Sequence, residues 1–176
     1  MKKYFIALLL LVNQSLFAEQ KPNILFILAD DLGYNDLSIQ GSNQIKTPHI
    51  DRILSGGVRF TNGYVSNAVC APSRAGLLTG RMGSVFGFES NLNHSLASLP
   101  GSTVGLPLDQ KTIADYLNPA GYKNICIGKW HLGDNIELFH PNKRGFDEFY
   151  GIISGARSYW ANEDPNPARN LMHNYE

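Results

Sequence analysis

The sequence predicts an α/β fold with a mainly parallel sheet flanked by helices, on three observations. Residues 23–29 form an unbroken apolar run that stops at Asp30-Asp31. Residues 123–127, with Ile125-Cys126-Ile127 at their centre, read as a second strand that ends at Gly128-Lys129-Trp130-His131. Short continuous runs of this kind suit parallel strands covered on both faces. Between them lie segments carrying helix start and stop signals, and strands alternating with helices mean a mainly parallel sheet. In such sheets ligands bind beyond the carboxyl ends of the strands. The two runs therefore deliver Asp30 and Asp31, and Lys129 and His131, to one edge.

The elements follow in order. Lys2 and Lys3 precede an apolar stretch over residues 4–12, and Leu16-Phe17-Ala18 puts a small residue at a cut, the layout of a secretory signal peptide. The stretch is about half the ~20 residues of a membrane span. Residues 1–18 are thus read as a removed signal, leaving 19–176 as an exported chain, periplasmic or secreted. No cysteine lies near the cut to carry a lipid, and no stable membrane anchor is expected. Residues 48–54 read as a helix capped by Thr47, with Pro48 at its first position and Gly56-Gly57 as its stop. Residues 58–60 open an extended segment towards Tyr64, and a second helix covers 72–78 with Gly80 beyond its end. Residues 82–105, rich in Gly, Ser and Asn, predict a long surface loop. Asp109 then caps a helix with Ile113 and Leu117 on one face, closed by Asn118-Pro119-Ala120-Gly121. From Pro141 the chain looks looser. No repeat, low-complexity tract or linker divides it.

Composition narrows the function. The 15 basic and 15 acidic side chains balance, and loss of Lys2 and Lys3 leaves a formal charge of −2. No basic excess exists to neutralise a nucleic-acid backbone, so no nucleic-acid partner is expected. Hydrophobic residues make up 43%, which excludes a disordered chain. Of the two cysteines, Cys126 sits in the second apolar run, where a thiol acts as a small hydrophobe, while Cys70 has a different context. A disulfide between them is not expected.

The most informative stretch is Cys70-Ala71-Pro72-Ser73-Arg74-Ala75-Gly76-Leu77-Leu78-Thr79-Gly80. It places a sulfur just before a helix whose N-terminal dipole favours an anion. Pro72 suits the first helical position, and Arg74 lies about one turn after Cys70. One reading is a thiolate nucleophile. Against it, Pro72 deletes a backbone N–H that a cysteine phosphatase would use, and the Cys-to-Arg spacing is shorter than in those enzymes. The other reading is a helix start with a buried cysteine.

Cys70-x-Pro72-Ser73-Arg74-x-x-x-Leu78-Thr79-Gly80 resembles the signature of the type I, formylglycine-dependent sulfatases, and Gly128 to Gly133, Gly-Lys-Trp-His-Leu-Gly, matches their second signature. The Asp30-Asp31 strand end and the Thr47-Pro48 helix leading to Arg59-Phe60-Thr61 also look like the family's N-terminal region, so the resemblance covers 22–155. It implies an alkaline-phosphatase-like fold and arylsulfatase-like chemistry. Residue 70 would be converted by a formylglycine-generating enzyme to Cα-formylglycine, whose hydrate attacks sulfur with one hydroxyl and releases sulfate through the other. A serine there would stay trapped as a sulfate ester. Asp30 and Asp31, with the hydrated residue 70, would bind Ca²⁺ (Mg²⁺ in some members), hard cations suited to carboxylate oxygens. Arg74 would hold the hydrated side chain and Lys129 the sulfate oxygens. His131 would act as the base for sulfate release, with Lys129 and His131 pointing the same way in an extended segment and Trp130 turned to the core. His49, His94, His140 and His173 are read as structural or surface residues, and Ser73 as part of recognition by the modifying enzyme and of helix capping.

The resemblance also has a boundary. The family's second metal-binding pair, leaving-group histidine and second lysine lie far downstream of Gly-Lys-Trp-His-Leu-Gly, and 43 residues follow Gly133 here. Asp164-Pro165-Asn166 is not that pair. The expectation is an N-terminal portion of a sulfatase catalytic domain, inactive alone, whose substrate is a sulfated glycan or small molecule. The alternatives are a phosphate-ester hydrolase of the same fold, against which Cys70 argues, and a silent sulfated-glycan-binding remnant. Tyr159 and Trp160, near Arg157, would form a sugar-stacking surface or, as aromatic pairs more often do, part of the core.

Overall fold

The computed structural model describes residues 21–159 and 169–176, so the expected signal at 1–18 and Trp160 lie outside the described residues. The chain divides into two compact units, Met1–Arg52 and Ile53–Glu176.

In the first unit the order comes from a polar network. Gly33 N–H donates to the Asp36 carboxylate at 2.6 Å, closing a turn. A short 3₁₀ helix, Ser38–Gln40, ends at Gly41, whose φ of 112° suits glycine. Ser38 Oγ accepts from Thr47 N–H at 2.8 Å, and Thr47 Oγ1 donates to Asp51 Oδ1 at 2.9 Å. That network fixes the start of α1 (Pro48–Gly56), as the Thr47-Pro48 signal predicted. The apolar run at 23–29 differs from expectation. It takes no regular secondary structure and joins no ladder, and Leu25 is 85% exposed. A strand takes its hydrogen bonds from neighbours, and among the described residues none pairs with this run. Residues 58–64 likewise join no ladder and contain a turn, with Phe60 and Tyr64 exposed.

The second unit holds the core: Ala71, Ala75, Phe88, Leu92, Ala97, Leu106, Trp130, Leu132, Phe149 and Ile153. Helix α2 (Cys70–Thr79) buries Ala71, Pro72, Ala75 and Gly76, small residues that let other chain segments approach closely. A Cβ on Gly76 would lie 2.0 Å from Ser66 Oγ. Gly80, at φ 67°, closes the helix by donating to Gly76 O. The helix begins two residues earlier than predicted, so Cys70 is its first residue rather than its predecessor. Pro72 still sits in the first turn, where its missing N–H has no intrahelical partner to lose.

Three further expectations are corrected. The stretch 82–105 is not a surface loop. It contains a 3₁₀ turn (Gly83–Val85) and α3 (His94–Ala97), and buries Phe88, Leu92 and Ala97. The cap of α4 (Ile113–Leu117) is Thr112, not Asp109. Thr112 N–H donates to Asp115 at 2.7 Å, and the helix buries Ala114 while Ile113 stays exposed. The chain beyond Pro141 is not loose. After α5 (Ile136–Phe139) and a 3₁₀ turn (Pro141–Lys143) it forms a strand with fully buried Phe149. Arg144, also buried, donates to the carbonyls of Leu106, Pro107 and Gln110.

The sheet is small and mixed, with its longer pairing parallel as expected. β1 (Ile125–Lys129) pairs in parallel with β2 (Glu148–Ile152), from Ile125↔Glu148 to Lys129↔Ile152. β3 (Met172–His173) pairs antiparallel with β2. Gly151 faces Gly128 so closely that a Cβ would come 1.9 Å from Gly128 O. Beyond the strand ends, Trp130 N–H donates to Ile152 O at 2.9 Å and His131 N–H to Ile153 O at 2.8 Å, which carries the pairing into the Gly-Lys-Trp-His-Leu-Gly segment. Both cysteines are unbridged. No helix among the described residues is long and apolar enough to cross a membrane.

Candidate functional site

Four of the sequence-named residues lie in the second unit, on two elements. Cys70 and Arg74 are one turn apart on α2, and Lys129 and His131 lie at and just beyond the end of β1. Arg74 Nη1 donates to Lys129 O at 2.5 Å, so the start of the helix is fastened to the strand end. The backbone at that helix start is largely engaged: Val69 N–H donates to Asn67 Oδ1 and Ala71 N–H to Asn91 Oδ1. Pro72 has no N–H, and Ser73 N–H closes onto Val69 O. An anion there would therefore meet side chains and the helix dipole more than a cradle of backbone N–H groups.

Trp130 is buried in the core, as its neighbours' alternation predicted. His131 does not follow that alternation. Its φ is 61°, in the left-handed region, and the residue is 3% exposed. Its backbone is turned out of the extended form, a conformation held by the bond to Ile153 O. Neither ring nitrogen of His131 has a hydrogen-bond partner among the described residues. Burial, reinforced by the positive charge of Lys129, by His94 and by Arg74, and opposed by Asp134, lowers its pKa to about 4. At neutral pH this imidazole is uncharged and able to accept a proton.

Sequence reasoning missed what surrounds it. The ring of His94 stacks on that of His131, with centroids 5.3 Å apart and planes 10° from parallel. His94 Nδ1 lies 2.9 Å from Asp134 Oδ2, which also accepts from Ser98 Oγ at 3.1 Å. Ser154 Oγ is 3.2 Å from the same Nδ1. Only the position of Asp134, next to the Gly128 to Gly133 motif, hinted at this. Tyr159 is 97% exposed and so is not core.

Asp30 and Asp31 belong to the first unit, at an exposed bend in which Asp31 has φ 58°. Two adjacent exposed carboxylates suit a hard cation in donor type. Among the described residues, no group of three or more His, Cys, Asp or Glu could hold a metal.

The Sulfatase family model matches residues 22–175. Human arylsulfatase A is 41% identical over 166 residues, spanning 94% of the chain and 30% of that protein. Arylsulfatase H of Canis lupus familiaris is 46% identical over 145 residues, 78% of the chain and 26% of that protein. The chain thus spans 26% to 30% of the length of these curated relatives. Among solved structures, Ps i-CgsB superposes with a TM-score of 0.78 at 41% identity, over 89% of this chain and 37% of that one. Its complex with k-i-k-neocarrahexaose superposes with a TM-score of 0.72 at 39% identity, over the same shares.

Proposed function

The chain belongs to the sulfatase family, and on that premise we propose that the protein hydrolyses sulfate esters of carbohydrates, with its nucleophile at residue 70. The observation that carries the reading is the bond from Arg74 to Lys129 O, which joins the Cys70 helix start to the strand end bearing Lys129 and His131. The relative crystallised with a neocarrahexaose favours a carbohydrate ester over a simple aryl sulfate, and exposed Tyr159 is available to stack on a sugar.

As a formylglycine hydrate, made from Cys70 by a modifying enzyme, residue 70 would supply one hydroxyl that attacks sulfur and displaces the alcohol. A second would lose its proton as the aldehyde re-forms and the carbon–sulfate bond breaks, freeing sulfate. Arg74, one turn on, holds that side chain and offsets its negative charge. Lys129 binds the sulfate oxygens, where charge grows in the transition state. His131, uncharged at neutral pH, takes the proton of the second hydroxyl. Asp30 and Asp31 would hold Ca²⁺ or Mg²⁺, a hard cation that would supply Lewis-acid chemistry. Two carboxylates are few against the about six to eight oxygens Ca²⁺ takes, so residues 1–176 alone turn over poorly or not at all. The route is export, to the periplasm or outside the cell, with residues 1–18 removed.

The test is hydrolysis by the protein expressed from its full reading frame with a formylglycine-generating enzyme. Sulfated oligosaccharides and 4-nitrophenyl phosphate serve as paired substrates. Sulfate release that exceeds phosphate release, and that disappears in Cys70→Ala, supports the reading. Phosphate hydrolysis as the faster reaction, or sulfated-sugar binding with no turnover and an unmodified thiol, contradicts it.

A further inference from the structure

His131 presents an unusual combination: a buried imidazole whose two nitrogens bond to nothing among the described residues. Buried polar atoms are nearly always paired, so such a ring needs another means of holding its orientation and a use for its nitrogens. Packing supplies the first. The His94 ring covers it in a near-parallel stack. At its Nε2 edge lies Gly155, where a Cβ would come 2.5 Å from that nitrogen. His94 is itself fixed, because the buried Asp134 carboxylate accepts from Nδ1 and is braced by Ser98. A carboxylate there assigns the His94 proton to Nδ1 and sets the plane of the ring. Unlike His131, His94 is therefore oriented by hydrogen bonds, and it lends that orientation to the ring it stacks on.

We propose that His94, fixed by Asp134, is a positioning residue for His131, holding its imidazole by stacking so that both ring nitrogens remain available to the reaction. The proposal rests on the reading of His131 as the proton acceptor, and its test separates the two. The charged and titratable groups facing His131 are Lys129, Arg74, His94 and Asp134.

The experiment follows the His131 ring by NMR titration in the full protein, assigned through His131→Gln, beside kcat and KM for a sulfated oligosaccharide. In wild type the His131 midpoint is expected at about 4. His94→Ala should admit water to the ring face and move the midpoint up towards ~6.5. It should also lower kcat about tenfold or more, with KM nearly unchanged. His94→Phe keeps a flat ring and should restore the low midpoint and part of kcat. Asp134→Asn keeps the shape, guards against a misfolded His94→Ala, and should broaden the His131 ring signals. Unaltered His131 signals in both His94→Ala and Asp134→Asn overturn the proposal, whatever the turnover. Signals that respond as described while no sulfate ester is cleaved leave the positioning standing and sink the sulfatase reading instead.

Discussion

Replacing His131 by Gln should remove a specific part of the acid sensitivity of the fold. The native ring takes a proton only near pH 4, because burial, the cations Lys129 and Arg74 and the neighbouring His94 oppose the charge. In the unfolded chain the same ring protonates near its ordinary value of ~6.5. Between those limits the unfolded state binds more protons than the native state, so stability falls as pH falls, by about 1.4 kcal/mol per pH unit for one group. This contribution is fully present above about pH 7. About 2 kcal/mol of it is gone at pH 5, and about 3 kcal/mol at pH 4. Urea unfolding at pH 7 and pH 5 reads the effect, with Asn as a second substitution in case Gln packs badly. The wild type should lose about 2 kcal/mol more than His131→Gln across that interval. Buried His140 also has a lowered pKa, but it contributes equally to both proteins and cancels in the difference. Equal losses in wild type and variant would refute the argument that His131 is held neutral by its burial.

Gly151→Ala should destabilise the protein by at least about 2 kcal/mol in urea, since its Cβ would meet the Gly128 carbonyl at 1.9 Å across the β1–β2 pair. Asp115→Ala should cost about 1 kcal/mol in the same assay, because it leaves the Thr112 N–H at the start of α4 without its acceptor. Arg74→Lys retains the charge but loses the planar donor on Lys129 O, and kcat of the full protein for a sulfate ester should fall about a hundredfold.

The legible parts of this protein are those with a local physical cause. Thr47-Pro48 announces α1 and Gly80 ends α2, because capping chemistry is decided within a few residues. The Cys70–Arg74 pair and the Lys129–His131 pair were legible as motifs, and each pair sits where its element begins or ends. The missed parts depend on partners distant in sequence. Phe88, Leu92 and Ala97, spaced four and then five apart, sustain neither a helical nor a strand period, so nothing local showed that 82–105 enters the core. The strand Glu148–Ile152 carries a glycine that reads as a breaker, yet that glycine is what allows it to approach Gly128. Asp109 lost the cap of α4 because Asp115, three residues beyond Thr112, reaches back to the Thr112 N–H. His94 looked like any surface histidine until folding set it 5.3 Å from His131. Conversely, residues 23–29 have the composition of a buried strand, and no described segment pairs with them.

Mass spectrometry of the peptide bearing residue 70, after co-expression with a formylglycine-generating enzyme and treatment with a hydrazide reagent, bears most directly on the chemistry assigned to this chain. A hydrazone adduct at residue 70 is expected in every preparation that releases sulfate. An intact thiol at Cys70 in protein that turns over sulfate esters would contradict it.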